Sequence, residues 1–166
     1  MANEAKHPPL RKQNALTRWL MRAPIWLYSI GLGWLLGGRF IHIVHTGRVS
    51  RQPRHTVVEV VSYDRFRDAY YVAAAWGERS DWYQNLMNTP ACQAQVGRRR
   101  FAARARRLAV EEAKVVLLDY ATRHPAAMRA LAQVMGYEID GSPEAFAAIG
   151  QSLPILEIVP LLSQPA

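Results

Sequence analysis

The sequence is nearly free of cysteine, since Cys92 is the only one in 166 residues. A disulfide within the chain is therefore excluded, and so is a metal site that needs two or more thiolates. We expect Cys92 to be a small apolar side chain of the core. A chain without disulfides fits a reducing compartment, so we expect a cytoplasmic protein.

Acidic residues are also few. The chain has 13 Asp and Glu against 21 Lys and Arg, which gives a formal net charge of +8 and a sequence pI near 10.1. That balance favours an anionic partner. Composition alone does not choose among nucleic acid, acidic lipid headgroups and a small molecule that carries phosphate or carboxylate groups.

Arrangements typical of several enzyme classes are missing. No two carboxylates are placed as in a hydrolase, and no serine, histidine and acid are placed as in a nucleophile elbow. His42 and His45 lie three residues apart on a predicted strand, so they point to opposite faces and are not expected to share a metal ion. The sequence therefore predicts no metal site, and an enzyme of this kind would take its chemistry from a cofactor.

No apolar run is long enough to cross a bilayer. Residues 23–38 carry no charge, but the stretch is shorter than the about 20 residues that a spanning helix needs, and it contains Pro24 and several glycines. We expect residues 1–12 to be a loose tail and residues 13–38 to form apolar helices. These helices either pack on the domain or contact the inner face of a membrane through residues 19–36.

Alternating apolar positions and turn residues predict about six strands and several helices in the rest of the chain. The predicted strands are residues 40–45, 54–63, 69–75, 92–96, 100–108 and 153–159. The predicted helices are residues 80–88, 110–123, 125–135 and 142–150. We expect sequential antiparallel pairing in a small β-barrel flanked by helices, in the α+β class. One domain would span residues 39–166, with a helical insertion at residues 109–150.

The connection between the first two strands concentrates positive charge. Arg48, Arg51 and Arg54 follow Gly47, and Ser50 adds a hydroxyl. Gly47 is expected to adopt a backbone conformation that other residues avoid, which would let successive amides converge on an anion. Guanidinium groups suit phosphate and carboxylate oxygens. The spacing is not that of a phosphate-binding P-loop, and a merely solvated turn is the alternative.

The segment from Tyr70 to Pro90 joins a strand end to a short helix. Ala73, Ala74 and Ala75 have little side-chain volume, which leaves room for a flat ligand, and Ser80 is expected to cap the helix. Trp82, Asn85 and Leu86 share one helix face. The alternative is structural: Trp82 and Leu86 anchor the helix in the core, and Asn85 caps a neighbouring loop.

A second group of arginines lies on the predicted strand 100–108. Arg98, Arg100, Arg104 and Arg106 would project to one side of this strand, while Phe101, Ala103 and Ala105 face the other. Such a basic face is either solvated, or a track for nucleic-acid phosphates, or a contact for the acidic tail of a cofactor.

Taken together, HTGRVSRQPR, VAAAWGERSDWYQNLMNTP and LPILEIVPL resemble the deazaflavin-dependent nitroreductase family. The resemblance runs from about Phe40 to Leu161. It implies a single-domain split β-barrel of the FMN-binding-like type, with about six mostly antiparallel strands and flanking helices. It also implies that the arginine-rich loop, the small-residue strand end and the helix start bind coenzyme F(420), a 5-deazaflavin. The implied cofactor-binding residues are Arg48, Val49, Ser50, Arg51, Arg54, Ala74, Ala75, Trp76, Asp81, Trp82, Tyr83 and Asn85.

The resemblance further implies a reductase that transfers a hydride from the reduced deazaflavin to an electrophilic small molecule, such as a quinone or a nitro compound. Tyr137 is the candidate catalytic proton donor, with Tyr120 as a second candidate, although either can simply pack. Two alternatives stay open: an FMN-dependent reductase on the same fold, and a non-catalytic basic module that binds nucleic acid or anionic membrane. Nucleic acid is the less expected partner, and fold analogy favours a homodimer.

Overall fold

The computed structural model describes residues 37–129, 149 and 153–161. Two α-helices lie wholly within these residues, α1 (Asp81–Asn88) and α2 (Val110–Arg123), with a 3-10 helix at Gly77–Arg79, and residues 125–129 are also helical. The six strands are β1 (Phe40–Thr46), β2 (Pro53–Asp64), β3 (Ala69–Ala73), β4 (Ala91–Val96), β5 (Arg99–Arg107) and β6 (Ile155–Pro160). The predictions for residues 1–36, for Tyr137 and for most of the helices 125–135 and 142–150 lie outside the described residues.

The six strands form a closed barrel in the order β1-β2-β3-β6-β5-β4, and every neighbouring pair is antiparallel. The expected α+β class and the antiparallel barrel are therefore confirmed. The expected sequential pairing is wrong at two places. Strand β6 lies between β3 and β5, and β4 pairs back onto β1, because closure requires a partner for every open strand edge.

Alternation along the strands builds the barrel interior. Ile41 and Ile43 of β1 point inward and are fully buried, while the alternating residues His42 and Val44 face outward. On β4 and β5 the inward positions include small residues such as Ala94, Ala103 and Ala105. Cys92 lies among them, as predicted, and its burial raises the pKa of the thiol to about 11. The thiol is therefore protonated and unreactive at neutral pH.

A second core lies between α2 and the outside of the barrel. Ala113, Leu117, Tyr120 and Ala121 form the buried face of α2, and they pack against barrel residues such as Tyr71. The helix begins and ends where the sequence predicts, from Val110 to Arg123. Its position leaves the opposite side of the barrel, and the end that carries the β1–β2 connection, available for a site. No described helix has the length and apolar character needed to cross a membrane.

Candidate functional site

The connection between β1 and β2, residues 47–52, is a compact turn, and together with Arg54 at the start of β2 we call it the arginine loop. The Gly47 amide donates to the Gln52 carbonyl (2.9 Å), and the Arg51 amide donates to the Gly47 carbonyl (2.8 Å). The left-handed residue of the turn is Arg51, with φ 58°, and not Gly47 as expected. Gly47 is required for space, because a Cβ atom there would lie 2.6 Å from Ser50 Oγ.

Asn85 of α1 fixes the arginine loop to the helix. Its Oδ1 accepts hydrogen bonds from the Arg48 amide (2.9 Å) and from Arg48 Nη1 (3.1 Å), and Asn85 is buried. The same guanidinium nitrogen lies 2.9 Å from the carboxylate of Asp81. Asp81 and Asn85 are four residues apart and share one face of α1. Asn85 therefore caps the neighbouring loop, which is the structural alternative derived from the sequence, and in doing so it places Arg48 at the candidate site.

The remaining loop side chains face solvent. Val49, Ser50, Arg51 and Arg54 are all exposed, and Arg54 Nη2 donates to Ser50 Oγ (3.3 Å). Neither Arg51 nor Arg54 forms an ion pair with an acid among residues 37–129, 149 and 153–161. Two guanidinium groups and a hydroxyl are therefore available here to an anionic ligand.

The small-residue segment follows β3, which ends at Ala73 and not at Ala75 as predicted. The Ala74 amide still donates to the Pro154 carbonyl (2.9 Å), next to the Ala73–Ile155 pair, and the chain then turns, with the Gly77 amide donating to the Ala74 carbonyl (2.7 Å). Gly77 has φ 67°, which favours glycine. Ala74 is completely buried, whereas the Trp76 side chain is 38% exposed. The flat, apolar indole of Trp76 is therefore partly exposed next to a backbone segment that carries only small side chains.

Helix α1 is held by its apolar face. Leu86 and Tyr83 are buried in the barrel core, and Trp82 packs edge-on against Tyr83 with ring centroids 6.5 Å apart. Burial raises the pKa of Tyr83, which keeps its hydroxyl protonated. The expected cap is wrong, because the Ser80 hydroxyl donates to the Gly77 carbonyl (2.9 Å) instead of accepting from the first turn of the helix.

His45 is a residue of this region that the sequence analysis did not assign to the site. It is buried, and its Nδ1 has no hydrogen-bond partner among the described residues. In the β1–β2 ladder it lies opposite Arg54, directly before the arginine loop. Burial, with the nearby His55 as the next contribution, lowers the pKa of the His45 imidazole. Its inward position at the end of an alternating strand is the sequence feature that indicates this location.

These features fit a ligand that combines a flat ring system with an anionic tail. Arg51 and Arg54 have no acid partner among the described residues, and the segment after β3 carries small side chains. Within the same part of the chain, the buried Nδ1 of His45 has no hydrogen-bond partner, which is rare for a buried polar atom in folded proteins. A metal centre has no support in this part of the chain, because the described residues contain no cluster of three or more metal-binding side chains. The twelve residues expected to bind the cofactor lie on three adjoining segments around Arg48 and Asn85.

Comparisons with known proteins agree with this description. The sequence profile of the F(420)H(2)-dependent quinone reductase family matches residues 28–135. No curated protein matches the chain. Among solved structures, an F(420)-H2 dependent reductase has a similar fold, with a TM-score of 0.50 and 18% identity over 72% of this chain and 93% of that one. A structure described as a domain-swapped dimer has a TM-score of 0.53 and 16% identity over 87% of this chain and 99% of its own.

Proposed function

Because the chain belongs to the F(420)H(2)-dependent quinone reductase family, and is therefore a reductase that uses coenzyme F(420), we propose that the arginine loop, the segment Ala74–Trp76 and the start of α1 hold that coenzyme. When bound in its reduced form, the deazaflavin supplies a hydride. The observation that carries the assignment is the pair of exposed arginines, Arg51 and Arg54, without acid partners among the described residues, next to a loop that Asn85 holds in place.

In this proposal the loop residues bind the charged part of the coenzyme. Arg51, Arg54 and Ser50 would donate hydrogen bonds to its phosphate and acidic tail. Arg48 has a different role, because Asp81 and Asn85 already occupy part of its guanidinium. Arg48 positions the arginine loop against α1 and contributes positive charge. Val49, at the tip of the loop, would pack against the part of the coenzyme next to it.

The apolar part of the site would orient the ring system. Ala75 leaves space next to the backbone, whereas Ala74 is buried in the barrel core and supports this segment from inside. Trp76 would cover one side of the ring system, and Trp82 and Tyr83 keep α1 in position. A pocket of this kind acts mainly by placing the reactants and excluding water. Tyr137 remains our candidate proton donor from the sequence, and it lies outside the described residues.

The electron acceptor in this proposal is a quinone or a nitro compound, both electrophilic and flat enough to lie against an exposed indole. A cytoplasmic protein that contacts the inner face of the membrane through residues 19–36 would meet a lipid-soluble quinone there. We also propose a homodimer, by analogy with the similar structure that is described as a domain-swapped dimer.

The first experiment is an anaerobic titration of the purified protein with oxidised coenzyme F(420) and, separately, with FMN, followed by the fluorescence of each cofactor. We expect saturable binding of the deazaflavin that weakens at higher salt, because charged groups carry part of the affinity. The exposed Arg104 of β5 provides a matched control: Arg51→Gln and Arg54→Gln should weaken binding, and Arg104→Gln should not.

Binding of FMN alone would keep the fold and change the cofactor assignment. Binding of neither cofactor would leave the arginine loop as a solvated turn. The acceptor is tested separately, by comparing the rate at which the reduced coenzyme is oxidised in the presence of a naphthoquinone and of a nitroaromatic compound. Equal background rates with both compounds would contradict the proposed acceptor classes.

A further inference from the structure

The turn between β2 and β3 presents a fully exposed aromatic ring. Phe66 has a relative exposure of 102%, the highest of the large apolar residues described. The turn itself is ordered, because the Asp64 carboxylate accepts hydrogen bonds from the Phe66 amide (2.8 Å) and the Arg67 amide (3.1 Å). Phe66 is therefore held out in solvent by a well-defined turn.

Several arginines lie near this ring, either next to it in the chain or in the adjoining turn. Arg65 and Arg67 flank it in sequence, and the ion pair between Arg99 and Asp68 joins the β4–β5 turn to the β2–β3 turn. Arg98 and Arg100 are exposed beside that junction. We call Arg65, Phe66, Arg98 and Arg100 the hairpin end. The acids nearby are already engaged: Asp64 binds backbone amides and Asp68 binds Arg99.

Stacked aromatic side chains support the hairpin end. Tyr63 stacks on Tyr70 with centroids 4.5 Å apart, Tyr70 stacks on Phe101 at 5.7 Å, and the Arg99 guanidinium lies 4.9 Å from the Phe101 ring centroid. Tyr70 is buried in the barrel core, and Phe101 packs against that core. The interior at this end is thus occupied by aromatic side chains, and Phe66 is not part of that cluster.

The hairpin end is opposite the arginine loop. Strand β1 runs from Phe40, near the β4–β5 turn, to Thr46 at the arginine loop, and Val96 pairs with Ile41. The chain also enters the barrel at the hairpin end, since a Cβ on Gly97 would lie 3.6 Å from the Gly37 carbonyl oxygen. A surface that binds the hairpin end would leave the arginine loop open to water.

We propose that the hairpin end docks on an anionic lipid surface, with Phe66 inserted at the level of the headgroups and Arg65, Arg98 and Arg100 next to lipid phosphates. A single protruding ring among cations suits a soft apolar medium that needs no shaped pocket. A nucleic-acid track would need further cations along β5. Farther along that strand, however, Arg106 is bound to Glu112 and Glu157, and Arg107 is bound to Glu78.

The test is co-sedimentation of the full chain with vesicles of phosphatidylcholine alone and of phosphatidylcholine mixed with phosphatidylglycerol. We expect binding to the anionic vesicles only. Phe66→Ser should lower the partition coefficient about tenfold, as expected for an aromatic side chain that leaves an apolar environment. Arg65→Ser should lower it about fivefold, the factor for one cation near an anionic leaflet. Phe66→Leu should retain most of the binding.

Two control variants match these changes away from the hairpin end. Val115→Ser removes an apolar side chain that is 68% exposed on α2, and Arg104→Ser removes an exposed cation on β5. Neither should change vesicle binding. The proposal is overturned if wild type ignores anionic vesicles, if Phe66→Ser and Arg65→Ser bind them like wild type, or if the two substitutions reduce binding to DNA and leave vesicle binding unchanged. Because the readout is lipid binding, the result is independent of whether coenzyme F(420) binds at the other end.

Discussion

Two arginine-rich segments of this protein look alike in sequence and differ in the folded chain. The arginine loop carries Arg51 and Arg54 without acid partners among the residues described. On β5, by contrast, three arginines are bound to carboxylates that come from elsewhere in the chain: Arg99 to Asp68, Arg106 to Glu112 and Glu157, and Arg107 to Glu78. The comparison shows that the arginines of a basic run are not equally available to a ligand, because the fold brings acids to some of them.

Arginines of β5 stabilise the barrel. Glu157 of β6 is buried, and it receives Arg106 Nε at 2.9 Å from β5 and Arg67 Nη2 at 2.9 Å from the β2–β3 turn. The Tyr71 hydroxyl of β3 also donates to it (3.3 Å). These contacts tie β6 to both of its neighbours. They argue against the interpretation of β5 as a nucleic-acid track and against a non-catalytic basic module.

The largest effect should come from Glu157→Gln. Removal of the charge leaves two arginines beside a buried position without a carboxylate, so the free energy of unfolding should fall by about 3 kcal/mol in urea denaturation. Glu111→Gln is the control, because the Glu111–Lys114 pair lies on the surface and should contribute little. Affinity for coenzyme F(420) should not change in the folded variant. If Glu157→Gln bound the cofactor more weakly and its stability were unchanged, the arginines of β5 would belong to the cofactor site and would not be structural.

Asn85→Ala should act mainly on the cofactor. Arg48 would lose the shared acceptor of its amide and its guanidinium, which frees the arginine loop and lowers the affinity for coenzyme F(420) about 30-fold, or about 2 kcal/mol. Asn88→Ala on the same helix is the control, since Asn88 is exposed and contacts only Thr89 through its side chain. Fluorescence titration measures both variants. If Asn85→Ala bound coenzyme F(420) with wild-type affinity, the arginine loop would not need the hydrogen bonds to Asn85.

Gly47→Ala should change the shape of the arginine loop. The added Cβ atom would meet Ser50 Oγ at 2.6 Å and the Gln52 carbonyl oxygen at 3.3 Å. The exposed Ser50 side chain can rotate away and lose its contact with Arg54, whereas the Gln52 carbonyl must move slightly, so we expect a cost of about 1 kcal/mol. We expect lower cofactor affinity and a lower melting temperature. Gly38→Ala is the matched variant, because it meets nothing within 4 Å, and it should behave like wild type in both measurements.

Acidification should destabilise the protein through the histidines of β1. Burial, then His55 and then Arg100, lower the pKa of His42 to about 4, and burial lowers the pKa of His45 as well. Both imidazoles are more easily protonated in the unfolded chain. Their contribution to stability is therefore complete above about pH 6.5 and is lost as the pH falls toward 4. His42 is only partly buried, so we expect a loss of about 1 kcal/mol, seen as a falling melting temperature. His42→Gln should flatten this dependence, and an unchanged slope would contradict the assignment.

The smallest effect should come from Asp81→Asn. The Asp81 side chain is 84% exposed, so its ion pair with Arg48 contributes about 0.5 kcal/mol at most. Its removal releases part of the Arg48 guanidinium and one negative charge next to the arginine loop. We expect affinity for coenzyme F(420) to stay the same or to rise about twofold in low salt. A clear fall would show that Asp81 itself contacts the coenzyme.

Features of the fold that depend on neighbouring residues could be predicted from the sequence. Contacts between segments far apart in the chain could not. Alternation and turn residues located the strands, and the limits of α2 were predicted correctly, because these depend on neighbouring residues. The family was reached by resemblance. The insertion of β6 between β3 and β5 could not be predicted, since it joins segments far apart in the chain. The same reason hid the pairing of Arg99 with Asp68 and of Arg106 with Glu157, and the unpaired nitrogen of His45. That Asn85 caps a neighbouring loop was one of the two interpretations that the sequence left open, and the structure identifies that loop.

The late position of β6 in the chain also bears on how the protein folds. While residues 155–160 are still within the ribosome, β3 is paired only with β2 and β5 only with β4, so each of the two strands has one open edge. Such pairing over a long sequence separation is slow to form, and open edges invite pairing with other chains. Barrel closure should therefore be a late step of biosynthesis, and the newly made chain should depend most on chaperones just before this strand is released.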